Sequence, residues 1–481
     1  MPEHPAYLRH DQTALYAFIG SIVEGVAARR SCAAYSPAAI HFLDFIADLA
    51  ASSQKYLSEW SVADSEEFED RREDLGTIRA AWKELHLLIK PALDAGTLQV
   101  PSAVIDGIVR RFHDLPECAG TDFALFHTSE FNYVQVRTAD LKRISAKVKK
   151  LILDAPEFPP DLGLIGIPYS QGRTAFANCL VAHEMGHYKY RGTKLESSLK
   201  ARIDAAFKSL PGNSDQKPDD ASKDALIKRL TLWAEEIFCD LFGVMLIGPC
   251  YTYAYIEAYD LSAVLDYSGL ISDERFLPRL QFYDTYPSHM FRIQQQSLLL
   301  RGLSWWDCIE KNCSRSSTLL NAIQGIPIET HIKENPTQGK YIPLLDAILP
   351  DIKEAIGEAF DGVDDEFVSF SRLNPTVQNY LANGVVPSTL NVPIGKGTGE
   401  VMTVTASPLV LLNSGMEFYL THLDDLIRSI PGEDEKRFDC RLHWIRRIEE
   451  WIAKAIEDES LKKEVSDVNP NGNGNPGPPQ A

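Results

Sequence analysis

The string His183-Glu184-Met185-Gly186-His187 constrains this chain more than any other feature. On a helix, residues four apart stack on one face, so both imidazoles can reach a single metal ion. Glu184 lies one residue round the same turn and can reach a water bound to that metal. Two zinc ligands with a general base between them have this spacing. The pattern demands a helix across residues 183–187 and a second segment that completes the donor set.

A catalytic zinc site needs a third protein ligand and one position left for water. In the extended form of the motif a Gly and a third His follow, but those places hold Tyr190 and Thr193, which excludes it. The other common arrangement is a Glu on a later helix with an Asp four residues on. The stretch Trp233-Ala-Glu-Glu-Ile-Phe-Cys-Asp240 supplies it, with Glu236 and Asp240 on one helical face. Glu235 points about 100° away and has no acidic partner four residues on. Glu236 is therefore the expected third ligand. Asp240 is expected to accept the remaining ring N–H of a ligating imidazole, His183 first, and so fix its orientation. Both carboxylates sit among Trp233, Ile237, Phe238, Leu241, Phe242, Val244 and Met245, and carboxylates in such company are rarely unpaired. Cys179, four residues before His183, either approaches the metal or packs as a buried thiol.

The 481 residues are too many for one compact core and imply about two or three domains. A hydrophobic share of 44% against 24% charged excludes wholesale disorder. The net charge of -19 excludes a generally basic nucleic-acid binder. Eight scattered cysteines form no Cys-x-x-Cys pair, so reduced thiols in a cytoplasmic protein are expected. No secretory signal is expected, because the apolar stretch after Asp11 is broken by Glu24 and ends at Arg29-Arg30. No membrane span is expected either. The uncharged run from Leu241 to Ile256 contains Gly248-Pro249 and falls short of the roughly 20 residues a span requires.

Periodicity predicts a predominantly helical α+β fold. Residues 1–115 read as helices, with Leu15, Phe18, Ile19, Ile22 and Val26 on one face and Ile78, Trp82, Leu85 and Ile89 on another. Strands are expected at 123–127 and 133–137 around a polar turn, and at 164–169. Pro168 should place that third strand at an edge or at its own end. Helices follow at 141–153, 174–190, 225–247, 288–300 and 345–360, with a polar loop at 211–224. A hairpin is expected between Pro387 and Ser407 and a last long helix at 433–463. Trp305-Trp306 and the Tyr-rich run 251–259 line a cleft or the core. The expected organisation is a helical region 1–115, a catalytic domain 116–300 with a small sheet, and a mostly helical region 301–466 with the hairpin. A disordered Asn-, Gly- and Pro-rich tail is expected at 467–481.

The chain resembles the gluzincin metallopeptidases, and within them the HtpX-like and type I CAAX prenyl protease group. That group carries a His-Glu-x-Gly-His helix, then a Glu-x-x-x-Asp helix running into a Gly-Pro-like end, then a His-Pro segment with Arg-Ile downstream. The matching residues are His183 to His187, Glu236 to Asp240 with Gly248-Pro249, and Tyr286-Pro287 with Arg292-Ile293. The likeness spans about residues 160–300. Tyr286 stands where the group has His, with His289 three residues on. The group's transmembrane helices are missing, so its prenylated or membrane substrates are not carried over. The ImmA/IrrE-like intracellular metallopeptidases are a second, more distant resemblance.

The resemblance implies a zincin-like domain that uses Zn²⁺ to hydrolyse a protein or peptide substrate, with Glu184 activating the water. It implies an oxyanion donor on the His-Pro segment, Tyr286 as first candidate and His289 as second. Arg292 is expected to anchor that segment through an acidic partner. The strand at 164–169 is expected to offer an edge to an extended peptide. The helical flanks should restrict access or recruit a regulatory protein partner. Two other readings stand beside this one: a regulatory protein with a non-catalytic zincin-like site, and a zinc amidohydrolase acting on a small amide.

Overall fold

The computed structural model describes residues 4–31, 37–59, 68–94, 102–128, 134–136, 138–168, 174–193, 195–209, 220–259, 287–312, 317, 320, 321, 324, 342–363, 366–393, 401–428 and 437–468. Tyr286, the tip of the expected hairpin and the tail beyond residue 468 lie outside them. The described chain is α+β and predominantly helical, with one three-stranded and one two-stranded sheet. Among the described residues no helix is long and apolar enough to cross a membrane.

Two compact units divide the chain, residues 1–99 with 120–172 and residues 100–119 with 173–481. Helices α1 (His4–Ser31), α2 (Pro37–Ser58) and α3 (Phe68–Asp94) open the first unit, and α4 (Ser102–His113) belongs to the second. The first unit continues with β1 (Asp122–Thr128), β2 (Val134–Val136), α5 (Thr138–Leu151) and β3 (Leu162–Pro168). The apolar faces read from the sequence form its core: Leu15, Ile19, Ile22 and Val26 of α1 and Ile78, Trp82, Leu85 and Ile89 of α3 are all buried. The one polar edge among them is satisfied, because the Trp82 indole donates to Ser53 Oγ at 3.0 Å and that hydroxyl donates to the Leu49 carbonyl.

The sheet departs from expectation in two ways. Strand β3 is central, parallel to β1 and antiparallel to β2, with all seven residues buried. Pro168 tolerates this because it is the last residue of its strand. Over residues 164–166 the strand is paired on both sides and has no edge to offer a peptide, contrary to expectation; Tyr169 lies outside the described residues. The second departure is the company the sheet keeps. Helices α2 and α3 pack on β1, and α3 packs on α5, so the sheet groups with the N-terminal helices rather than with the His183 helix. The boundaries expected at 115 and 300 are therefore not where the compact units divide.

In the second unit a 3₁₀ turn (Ala177–Leu180) leads into α6 (Val181–Gly192), followed by α7 (Leu195–Ser209), α8 (Asp220–Ile247) and α9 (Pro249–Ala258). Then come α10 (His289–Gly302), α11 (Trp305–Asn312), α12 (Ile342–Ala359), α13 (Glu366–Ala382), the ribbon β4 (Leu390–Pro393) and β5 (Val401–Val404), α14 (Pro408–Arg428) and α15 (Arg437–Val468). Helix α8 is buried nearly all round through its second half and packs against α4, α6, α7, α9, α10 and α12, as a helix apolar on every face must. It takes in residues 220–224, which the sequence assigned to a loop. Trp305 meets Phe367 and Phe370 edge-on or tilted and is core, and Arg301 lies 4.6 Å over the Trp306 ring.

Two features fix the ends of α8 and α6. Gly248 has φ +93°, a conformation costly for any residue with a Cβ, and Pro249 restarts the chain as α9. Asn413 of α14 staples this corner, donating to the Ile247 carbonyl at 2.7 Å and accepting from the Cys250 amide at 2.9 Å. On α15, Glu449 is buried and accepts from the Phe176 amide just ahead of the 3₁₀ turn.

Burial lifts the Glu449 pKa from 4.5 to about 7, with the Glu257 charge adding to it and the Phe176 and Ala175 amides and Arg446 opposing. Between those two values the folded protein keeps a proton that the unfolded chain has lost. Stability should therefore fall as pH rises from about 4.5 to 7 and level off above, by on the order of 2–3 kcal/mol. Glu449→Gln should remove this fall and melt above wild type at pH 8. Melting curves of the two proteins that stay parallel from pH 5 to 8 would contradict the assignment.

Candidate metal centre

Helices α6 and α8 cross at Gly186. A Cβ there would lie 2.8 Å from the Cys239 Cα and 3.1 Å from its Cβ, so only glycine permits the approach. Since the nearest obstructing atom is the Cys239 Cα, which no side-chain rotation can move aside, Gly186→Ala should push the helices apart. We expect a loss of stability on the order of 1–3 kcal/mol. A variant with wild-type melting would show that the crossing is not tight.

The crossing sets His183 and His187 side by side, ring centroids 4.9 Å apart and nearly perpendicular. Their Nδ1 atoms are both engaged from α8. His183 Nδ1 lies 3.0 Å from Asp240 Oδ1, and His187 Nδ1 lies 2.9 Å from Glu235 Oε1. The Nε2 atoms converge on Glu236, at 3.3 Å from Oε2 for His183 and 3.7 Å from Oε1 for His187. Donors bound tetrahedrally to one zinc at 2.0–2.2 Å stand about 3.4 Å apart. Two imidazoles and a carboxylate are donor types that suit zinc, and each Nε2 stands about that far from a Glu236 oxygen, His183 from Oε2 and His187 from Oε1.

Arg292 of α10 supports this arrangement from below. Its Nε and Nη2 donate to the two Asp240 oxygens at 2.6 and 2.9 Å, and Nη2 stands 3.2 Å from Glu236 Oε2. The expected acidic partner of Arg292 is thus the second carboxylate of the Glu-x-x-x-Asp pair. Tyr251 of α9 donates to Asp240 Oδ1 at 2.9 Å. Burial would raise the Asp240 pKa, but the Arg292 guanidinium and the His183 bond outweigh it and hold the carboxyl well below the usual range. Glu236 is lowered against burial in the same way, by Arg292 and His183. Burial would lower His183, yet Asp240 and Glu236 lift it to about 10. The buried carboxylates Glu236 and Asp240, with the half-buried Glu235 behind His187, thus share one guanidinium and two imidazoles.

Glu184 is buried at 6% exposure, and among the described residues nothing hydrogen-bonds its carboxylate. His289, the first residue of α10, faces Tyr255, whose hydroxyl is 2.8 Å from its Nδ1, and its ring lies tilted against Tyr259, centroids 4.2 Å apart. Tyr286 lies outside the described residues. Cys179 packs as a buried thiol, its Sγ 3.5 Å from Cys250 Sγ.

Two neighbours of the centre escaped the sequence reading. Glu235 was set aside for lacking an acidic partner along its own helix, whereas its partner is an imidazole across the crossing. Cys239 is fully buried, and its thiol and a nitrogen of each imidazole all lie within 4.8 Å of one another. The His-His-Cys group is a possible donor set in its own right. Glu236 has the stronger geometric case, since its carboxylate faces the two Nε2 atoms, while both Nδ1 atoms are committed to Asp240 and Glu235.

Compared with protein-family models, curated proteins and solved structures, the chain has no match. The site speaks through its own geometry.

Proposed function

We propose that the chain is a zinc-dependent metallopeptidase of the gluzincin type, with His183, His187 and Glu236 as ligands. The observation that carries this reading is the convergence of two imidazole Nε2 atoms on one carboxylate, at 3.3 and 3.7 Å, beside a Glu184 that no described residue engages. Zinc held by His183, His187 and Glu236 would make a bound water more acidic and polarise a carbonyl. Glu184 takes the water's proton on its carboxylate as the oxygen attacks the carbonyl carbon. It returns the proton to the nitrogen as the C–N bond breaks. Asp240 holds His183 with Nε2 bare for the metal, and Arg292 keeps Asp240 in place. Tyr286 or His289 supplies a hydrogen bond to the oxyanion. The substrate is a protein or peptide. Cys118, Cys179, Cys239 and Cys250 are all free thiols, which favours the reducing cytoplasm.

The experiment is a comparison of new protein N-termini in cells carrying wild type or Glu184→Gln. Termini present only with wild type support the reading, and identical sets would end it. A second reading, a metal site without turnover, is favoured by one observation, the buried Cys239 thiol beside both imidazoles. A thiolate in the fourth position would close the site to water.

A further inference from the structure

The two imidazoles are held by unequal supports. Asp240, behind His183, is 1% exposed and receives four donors: Arg292 Nε and Nη2, the Tyr251 hydroxyl and His183 itself. Glu235, behind His187, is 20% exposed at its side chain, and His187 Nδ1 is its one hydrogen-bond partner among the described residues. Both carboxylates lie on α8 and reach across to α6, so each acts along the same path, from carboxylate to Nδ1 to the metal-facing Nε2. Glu235 fits none of the ligand positions, because its Oε1 faces the nitrogen that points away from Glu236.

We propose that Glu235 is a positioning residue of the metal centre, which orients His187 through its Nδ1–H and governs how tightly that ligand is held. This rests on the zinc reading above and deepens it. An imidazole whose Nδ1–H is captured by a carboxylate is fixed in the tautomer that leaves Nε2 bare, and its basicity toward the metal rises. For His183 that role is over-determined by the Arg292 and Tyr251 clamp. For His187 it falls to one side chain, open to water on one side. His187 is accordingly the ligand from which metal exchange starts.

The test measures zinc affinity by competition with a chromophoric chelator on the purified full chain, for wild type, Glu235→Ala and Glu235→Gln. Glu235→Ala should bind zinc about 10- to 100-fold more weakly and release it faster, with the melting of the metal-free protein unchanged. Glu235→Gln keeps an oxygen that can accept from Nδ1–H, so it should recover to within about 5-fold of wild type. Those two results together support the proposal. Wild-type affinity in Glu235→Ala overturns it and leaves the zinc reading intact. Equal weakness in both variants also overturns it, since charge rather than the oriented hydrogen bond would then set affinity. A wild-type protein that binds no zinc overturns the underlying reading itself, and is told apart by the first measurement.

Discussion

Alanine at His183, His187 or Glu236 should each strip the protein of zinc, from about one ion per chain in wild type to a small remainder after dialysis. Each substitution removes one of three donors, a larger loss than the 10- to 100-fold that follows when only a partner behind a ligand is lost. Glu236→Ala also leaves Arg292 Nη2 without one of its two carboxylates and both Nε2 atoms without the group they face. Metal analysis of the three variants beside wild type reads the result directly. Full occupancy in Glu236→Ala would hand the third position to Cys239. A thiolate-to-cobalt charge-transfer band in the cobalt-loaded wild type would single out a cysteine and favour the site without turnover.

Glu184→Gln should separate binding from chemistry. The amide keeps the size of the side chain but cannot accept the water's proton, so hydrolysis of a confirmed substrate should fall by about 10²-fold or more. Zinc content should hold, because Glu184 makes no contact that positions a ligand. An equally active Glu184→Gln would show that the proton goes elsewhere, and the proposed mechanism would fall with it.

What the sequence made legible was whatever repeats along one helix. The i, i+4 spacing of His183 and His187 and the shared face of Glu236 and Asp240 follow from helical geometry alone, and α6 and α8 place them together. The buried stripes of α1 and α3 were visible for the same reason. What it hid depends on contacts between elements. Glu235 looked idle because nothing on its own helix answers it, while His187 answers from 48 residues away. The sheet misled by its turn chemistry. The polar residues between β1 and β2 suggested neighbours, yet β3 comes between them, and such an insertion leaves no local mark. Asn413 is likewise silent in the sequence, one amide in an apolar helix.

That amide sets a lower bound on how much protein the centre requires. Tyr251 meets Asp240, eleven residues upstream, because the chain doubles back at Gly248, and the doubling is clasped from α14. Every proposed ligand lies before residue 240, but the geometry of the site draws on a helix that begins at 408. The His183 and Glu236 helices are therefore not a portable cassette. Moved alone into another scaffold, they would bring the donor atoms and leave behind the corner that aligns them.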